Sequence, residues 1–175
     1  MRWLERVAAC AVLLGATAAW SADAPHFGEP VAPGDIAAWD ISIGPDGAGL
    51  PAGHGTAAQG EQVYVAKCQA CHGEKGSGKP NDTLAGGIGT LAQDRPALKT
   101  VGSYWPYATT LFDYVRRAMP WDHPKSLSDD EVYAVCAYLL DLNGLIGADD
   151  VLDAQSLPKI SMPNRDGFIP FPRQR

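Results

Sequence analysis

Apolar residues recur at helical spacing in one long stretch of this chain, and more briefly in two others. Val132, Val135, Cys136, Leu139 and Leu142 fall at i, i+3, i+4, i+7 and i+10, the stripe of a single helix face. Ahead of them Ser128-Asp129-Asp130-Glu131 is a capping box whose acids complement the helix dipole, and Asn143-Gly144 stops the helix. A second capping box, Thr56-Ala57-Ala58-Gln59, opens a helix that runs on through residues 60–68. A further helix is expected over residues 108–118, ended by Met119-Pro120. Elsewhere the pattern lapses. Residues 22–55 are rich in Gly, Pro and Ala and read as an extended arm with little regular structure, residues 73–107 as a long loop, and residues 145–175 as a Pro-containing tail. No stretch alternates convincingly as a strand. A loop as long as 73–107 argues against an assignment unless something besides secondary structure holds it, and a buried macrocycle would do so.

Composition narrows the class. The 175 residues are 46% hydrophobic, enough for one small domain with a core, and the 19 glycines and 14 prolines fit the loop-rich pattern. The net charge of -6 argues against nucleic acid and against an anionic membrane surface, which both reward basic patches. The first residues read as an export signal, with Arg2 and Arg6 ahead of a short apolar run from Val7 to Ala19 that is too short to span a bilayer. Cleavage is expected after Ala19-Trp20-Ser21, giving a signal peptide over residues 1–21 and a periplasmic, soluble mature protein without a membrane anchor. Cys10 leaves with the signal; Cys68, Cys71 and Cys136 stay, and an odd count in an oxidising compartment makes a disulfide framework a poor reading.

The chemistry concentrates in Lys67-Cys68-Gln69-Ala70-Cys71-His72-Gly73. Two thiols at i and i+3 near a helical turn can each add to one vinyl group of a haem, and the next residue then aims its imidazole at the iron, the logic of the run C-x-x-C-H. A zinc site needs a further close Cys or His pair, and of the other histidines His54 and His123 are unpaired. A redox dithiol would want a preceding strand and a parallel sheet. One covalently attached haem c is therefore the reading for Cys68, Cys71 and His72. For the sixth iron position Met119 is the candidate, because it ends a helix and precedes a proline that frees the backbone to turn; Met162, His123 or an open iron are the alternatives. A thioether ligand favours Fe(II) and raises the potential, which suits electron transfer.

Beyond this point the chain resembles known proteins. A haem-bearing first helix, a methionine after a loop and a closing helix resemble class I cytochromes c, an all-α fold of three to four helices around the haem. Gly60 and Tyr64 look like the small and aromatic pair which that fold packs against the last helix, with Tyr138 and Leu139 as counterparts. Outside the core, Trp39-Asp40-Ile41, Pro45-Asp46-Gly47, Leu50-Pro51-x-Gly53, the run TVGSYWPYATTLFDYVRRAMP at 100–120 and Ser161-Met162-Pro163-Asn164-Arg165-Asp166-Gly167-Phe168 resemble the cytochrome subunit of periplasmic sulfane or sulfite dehydrogenases. That resemblance implies a molybdenum-cofactor dehydrogenase subunit as electron donor, with a downstream cytochrome c as acceptor; no substrate chemistry is expected on this chain itself, since no nucleophile–base pair or free metal position is evident. A freely diffusing carrier to a terminal oxidase and an open-iron haem sensor or enzyme are the competing functions. The domain plan is signal peptide 1–21, arm 22–55, cytochrome c domain 56–144 and tail 145–175.

Several side chains carry narrower expectations. The His72 ring should donate its second N–H to a backbone carbonyl in the 80–86 loop. Trp105, Tyr107 and Arg116 are candidates for the haem propionates, against aromatic packing or a solvated arginine. Cys136 reads as a buried small hydrophobe. Trp39, Ile41, Phe168, Ile169 and Phe171 sit on segments with little structure of their own and would pack onto the domain or onto a partner subunit.

Overall fold

The protein's structure, a computed structural model, describes residues 27–37, 39–93 and 96–169. The expected signal segment, with Cys10, lies outside the described residues, as does Phe171. The chain divides between Asp40 and Ile41. The described part of the first unit carries a five-residue helix, α1 (Pro33–Ala37), with Asp35 in its first turn and none of its residues buried.

The second unit is built around its last long helix. In chain order it contains β1 (His54–Thr56), α2 (Ala57–Lys67), α3 (Gln69–His72), α4 (Ala108–Ala118), α5 (Asp129–Leu142) and β2 (Val151–Asp153), with 3-10 turns at Glu74–Gly76, Thr90–Ala92 and Leu157–Lys159. Both capping boxes form. Thr56 Oγ1 accepts from Gln59 N–H at 3.3 Å while Gln59 Oε1 accepts from Thr56 N–H at 2.9 Å. Ser128 and Glu131 exchange the same pair of bonds at 3.2 and 2.8 Å. Each box satisfies two amide groups that a helix start leaves without intrahelical partners.

Helix α5 is not merely amphipathic. Val132, Tyr133, Ala134, Val135, Cys136, Ala137, Tyr138, Leu139 and Leu140 are all buried, so the helix is surrounded, the condition in which a helix is apolar on every side. On one side α2 crosses it at backbone contact. A Cβ on Gly60 would overlap the Ala134 carbonyl and come within 2.8 Å of Tyr138 Cβ, so only glycine permits this approach. Four residues on, Tyr64 is fully buried, with its ring 5.2 Å from that of Tyr138. On another side α4 brings Phe112 to 4.4 Å from Tyr133. Fully burying side chains of this size is worth about 1.5–3 kcal/mol each.

The remaining cover comes from the segments that read as arm and tail. β1 and β2 pair antiparallel, with Gly55 opposite Leu152, a small sheet that the sequence pattern does not announce. A Cβ on Gly55 would meet the backbone of Ala134, so two glycines straddle one alanine of α5. Leu152, Leu157 and Met162 are at most 2% exposed; the tail thus returns to seal the core. Residues 41–53 also lie on this unit. Ile43 and Leu50 pack against the core, and Tyr133 Oη donates to Pro51 O at 2.9 Å. Among the described residues no helix is long and apolar enough to cross a membrane.

Candidate functional site

The clip is a break between helices. At Cys68 the backbone leaves helical geometry (φ -122, ψ -36), ending α2 and beginning the single turn of α3. Cys71 N–H and His72 N–H both donate to Cys68 O, at 3.1 and 3.0 Å, so the two thiols and the imidazole emerge from one turn. Neither thiol is in a disulfide; Cys68 is half-buried and Cys71 exposed. Burial, with the neighbouring Cys71 adding and Lys67 opposing, pushes the Cys68 thiol up to about 11.

The imidazole is held on one side and free on the other. His72 Nδ1 lies 2.9 Å from Asp82 O, within the loop expected to supply that bond. A carbonyl only accepts, so Nδ1 carries the proton and Nε2 presents its lone pair. Asp82 is fixed in turn: Asn81 N–H donates to Cys71 O at 2.9 Å, Gly78 N–H to His72 O at 2.7 Å, and Thr83 Oγ1 to Ser77 O at 3.2 Å. From the α2 side, Tyr64 Oη donates to Gly73 O at 2.8 Å, tying the peptide after His72 into the core.

Short polar side chains tie together the other described residues of the 73–107 stretch. Thr90 Oγ1 donates to Gly87 O and accepts from Leu98 N–H; Ser103 Oγ donates to Leu98 O; Thr100 Oγ1 donates to Gly86 O. Asn143, at the end of α5, donates to Leu84 O and accepts from Gly86 N–H. Sequence reading missed these groups, because Asn143 reads as a helix stop and the Thr and Ser as loop residues; their placement inside a Gly-rich stretch was the available signal. The same stretch shows water Ile88 (50% exposed), Leu91 (37%) and Leu98 (42%), apolar surface suited to covering a flat apolar group.

Met119 caps α4 in extended geometry (φ -121, ψ 145), as the following proline requires. It is half-buried and leans on the same core as Cys68, Leu84 and Trp105. Met162 is 2% exposed within that core, and His123 is on the surface, 3.2 Å from Asp122. Arg116 pairs with Asp129 at 3.1 Å, Trp105 meets Tyr114 edge-on at 5.5 Å, and Tyr107 lies under Arg165 at 5.0 Å. Cys136 is fully buried and its thiol is pushed up by that burial. Phe168 packs on Tyr104 at 5.4 Å, while Ile169 is 92% exposed. Free paired thiols, a ring with Nε2 available and an uncovered apolar loop fit a c-type haem.

Comparison with known proteins defines the class. The family model "Cytochrome C oxidase, cbb3-type, subunit III" matches residues 55–139, which contain the clip and Met119. Photosystem II extrinsic protein V of Microcystis aeruginosa is 28% identical over 103 residues, covering 48% of this chain and 70% of that protein. A chain in the crystal structure of the sulfane dehydrogenase SoxCD from Paracoccus pantotrophus is 42% identical, covers 86% of this chain and 74% of its own length, and superposes with a TM-score of 0.78. The chain belongs to the c-type cytochromes, with the class I fold and a haem-c-binding domain. Within them it is similar to the sulfane dehydrogenase chain along most of its length.

Proposed function

We propose that this chain is an exported monohaem cytochrome c that takes electrons, as subunit or partner, from a molybdenum-dependent dehydrogenase of sulfur compounds and passes them to a downstream cytochrome c. The likeness to the sulfane dehydrogenase chain carries this reading, since it extends well beyond the part common to small cytochromes. Cys68 and Cys71 would hold one haem through thioether bonds, and His72 and Met119 would ligate its iron. Bound there, the group supplies a carrier of one electron at a time. The chain's own part is to fix ligands and exclude water. Asp82 orients the His72 ring, which raises the basicity of Nε2, and Ile88, Leu91 and Leu98 would cover apolar surface of the haem. The chain supplies no substrate chemistry of its own, and oxidation of the sulfur compound belongs to the partner.

Purification of the native protein from its source, followed by molybdenum analysis of whatever elutes with it, tests the reading. Stoichiometric molybdenum, together with haem reduction on adding a sulfur substrate, is expected. A haem protein that elutes alone and is not reduced by the molybdenum fraction would make it a free carrier instead. A high-spin spectrum that shifts with carbon monoxide would make it an open-iron protein.

A further inference from the structure

Asn143 does more than end a helix. It is 7% exposed, and its amide makes three bonds. Nδ2 donates to Leu139 O at 2.8 Å, which closes the last turn of α5, and to Leu84 O at 3.2 Å; Oδ1 accepts Gly86 N–H at 2.9 Å. Capping α5 needs only the first of these. The other two reach back 59 and 57 residues. They grip the loop two and four residues beyond Asp82, the residue whose carbonyl faces His72 Nδ1. Gly102 closes the amide in from another side, since a Cβ there would come within 2.6 Å of Asn143 Cγ. Between the grip and the histidine the chain is short and bonded. Leu84 N–H donates to Gly76 O at 2.8 Å and Thr83 Oγ1 to Ser77 O at 3.2 Å, which leaves little slack to absorb a shift of Leu84.

We propose that Asn143 is a positioning residue for the axial histidine. Acting through residues 84–86, it holds the Asp82 carbonyl on His72 Nδ1–H, so the end of the C-terminal helix sets the orientation and donor strength of a ligand far from it in sequence. The inference rests on the haem reading above and deepens it. The partner of a ligating histidine's free N–H governs ring orientation and basicity. A weaker bond to Asp82 makes His72 a poorer donor to Fe(III), which moves the reduction potential upward. It also exposes Nδ1–H to exchange.

The test uses the haem-loaded full-length protein. Asn143→Leu keeps the volume and removes all three bonds; Gly102→Ala leaves the amide intact and displaces it. Both are expected to speed exchange of His72 Nδ1–H, followed by proton NMR of the reduced protein, by about ten-fold or more, the equivalent of losing one hydrogen bond. Both should also raise the potential in a redox titration. Val135→Ala, in the core of the same helix, is expected to lower stability and move neither readout. The wild-type protein gives a measurement that needs no variant: Gly86 N–H and His72 Nδ1–H should exchange through one common opening, with the same denaturant dependence. A haem protein with a normal low-spin spectrum in which Gly86 N–H exchanges while Nδ1–H stays protected overturns the inference alone. So does one in which the two variants leave exchange and potential at wild-type values. A wild-type protein without covalent haem overturns the haem reading and this inference with it.

Discussion

Around α5 nine successive residues are buried, from Val132 to Leu140, whereas among the described residues of 73–99 Gly76 alone is. The first region is held by apolar area and backbone contact, forces that scale with surface removed from water. The second is held by single hydroxyls and one carboxamide on backbone groups, each contributing about 1 kcal/mol net. The difference separates two jobs. The helical side is a scaffold that tolerates little change in volume, and the loop side is a set of polar clamps around apolar residues that a flat cofactor would cover. A loop this long exists in a compact unit because side chains such as Thr90, Thr100, Ser103 and Asn143 pin it.

The largest effect is expected at the C-x-x-C-H turn that leads into the loop side. Replacing both thiols, Cys68→Ser with Cys71→Ser, should abolish covalent haem altogether, read as a colourless protein and a mass equal to the bare polypeptide. If colour survived denaturing extraction, the clip would not be the attachment site. On the scaffold side Gly60→Val should be the most damaging single change. It drives a side chain into the Ala134 carbonyl and should cost about 3 kcal/mol or more, measured by denaturant unfolding; a wild-type midpoint would show that the two helices do not cross there. Met119→Ala sits between the regions. It should remove the thioether-to-iron absorption band completely while lowering stability by only about 1–2 kcal/mol, since the side chain is half-buried. Retention of the band would move the ligand to Met162 or elsewhere.

The smallest effect sharpens the comparison most, because Tyr64 serves both regions. Tyr64→Phe keeps the ring against Tyr138 and removes only the bond to Gly73 O, for a loss of about 1 kcal/mol. Burial pushes the Tyr64 hydroxyl from 10.0 up to about 12, so between those values the unfolded chain has released a proton that the folded one retains. Stability is therefore fully present below pH 10 and falls as pH rises through that window. The Phe variant should lose stability less steeply there. Tyr133, also pushed up to about 12, keeps part of the slope. A variant with an unchanged alkaline limb would mean that the Tyr64 hydroxyl does not distinguish the folded from the unfolded state.

Much of the helical side was legible in the sequence. The two capping boxes, the ends of α4 and α5, and the Gly60–Tyr64 pair depend on residues three or four apart, a range over which backbone geometry leaves few choices. The C-x-x-C-H run is equally local, since one turn suffices to bring its three groups to one place. Even the partner of His72 could be placed within a seven-residue loop. What could not be read was which distant segments meet. Leu152, Leu157 and Met162 carry the same local pattern as a loose tail, yet they are buried because β2 pairs with β1 across the chain. Ala134 looks like any helix alanine until Gly55 and Gly60 close on it. Asn143 is a stop signal by its neighbours and a clamp only once the loop at Leu84 and Gly86 comes within reach of its amide. The sequence by itself determined the helices, their caps and the C-x-x-C-H turn, because each is encoded within one or two turns. The cover of the core and the setting of the histidine were decided by the tertiary structure, because they depend on contacts between segments whose meeting no local pattern records.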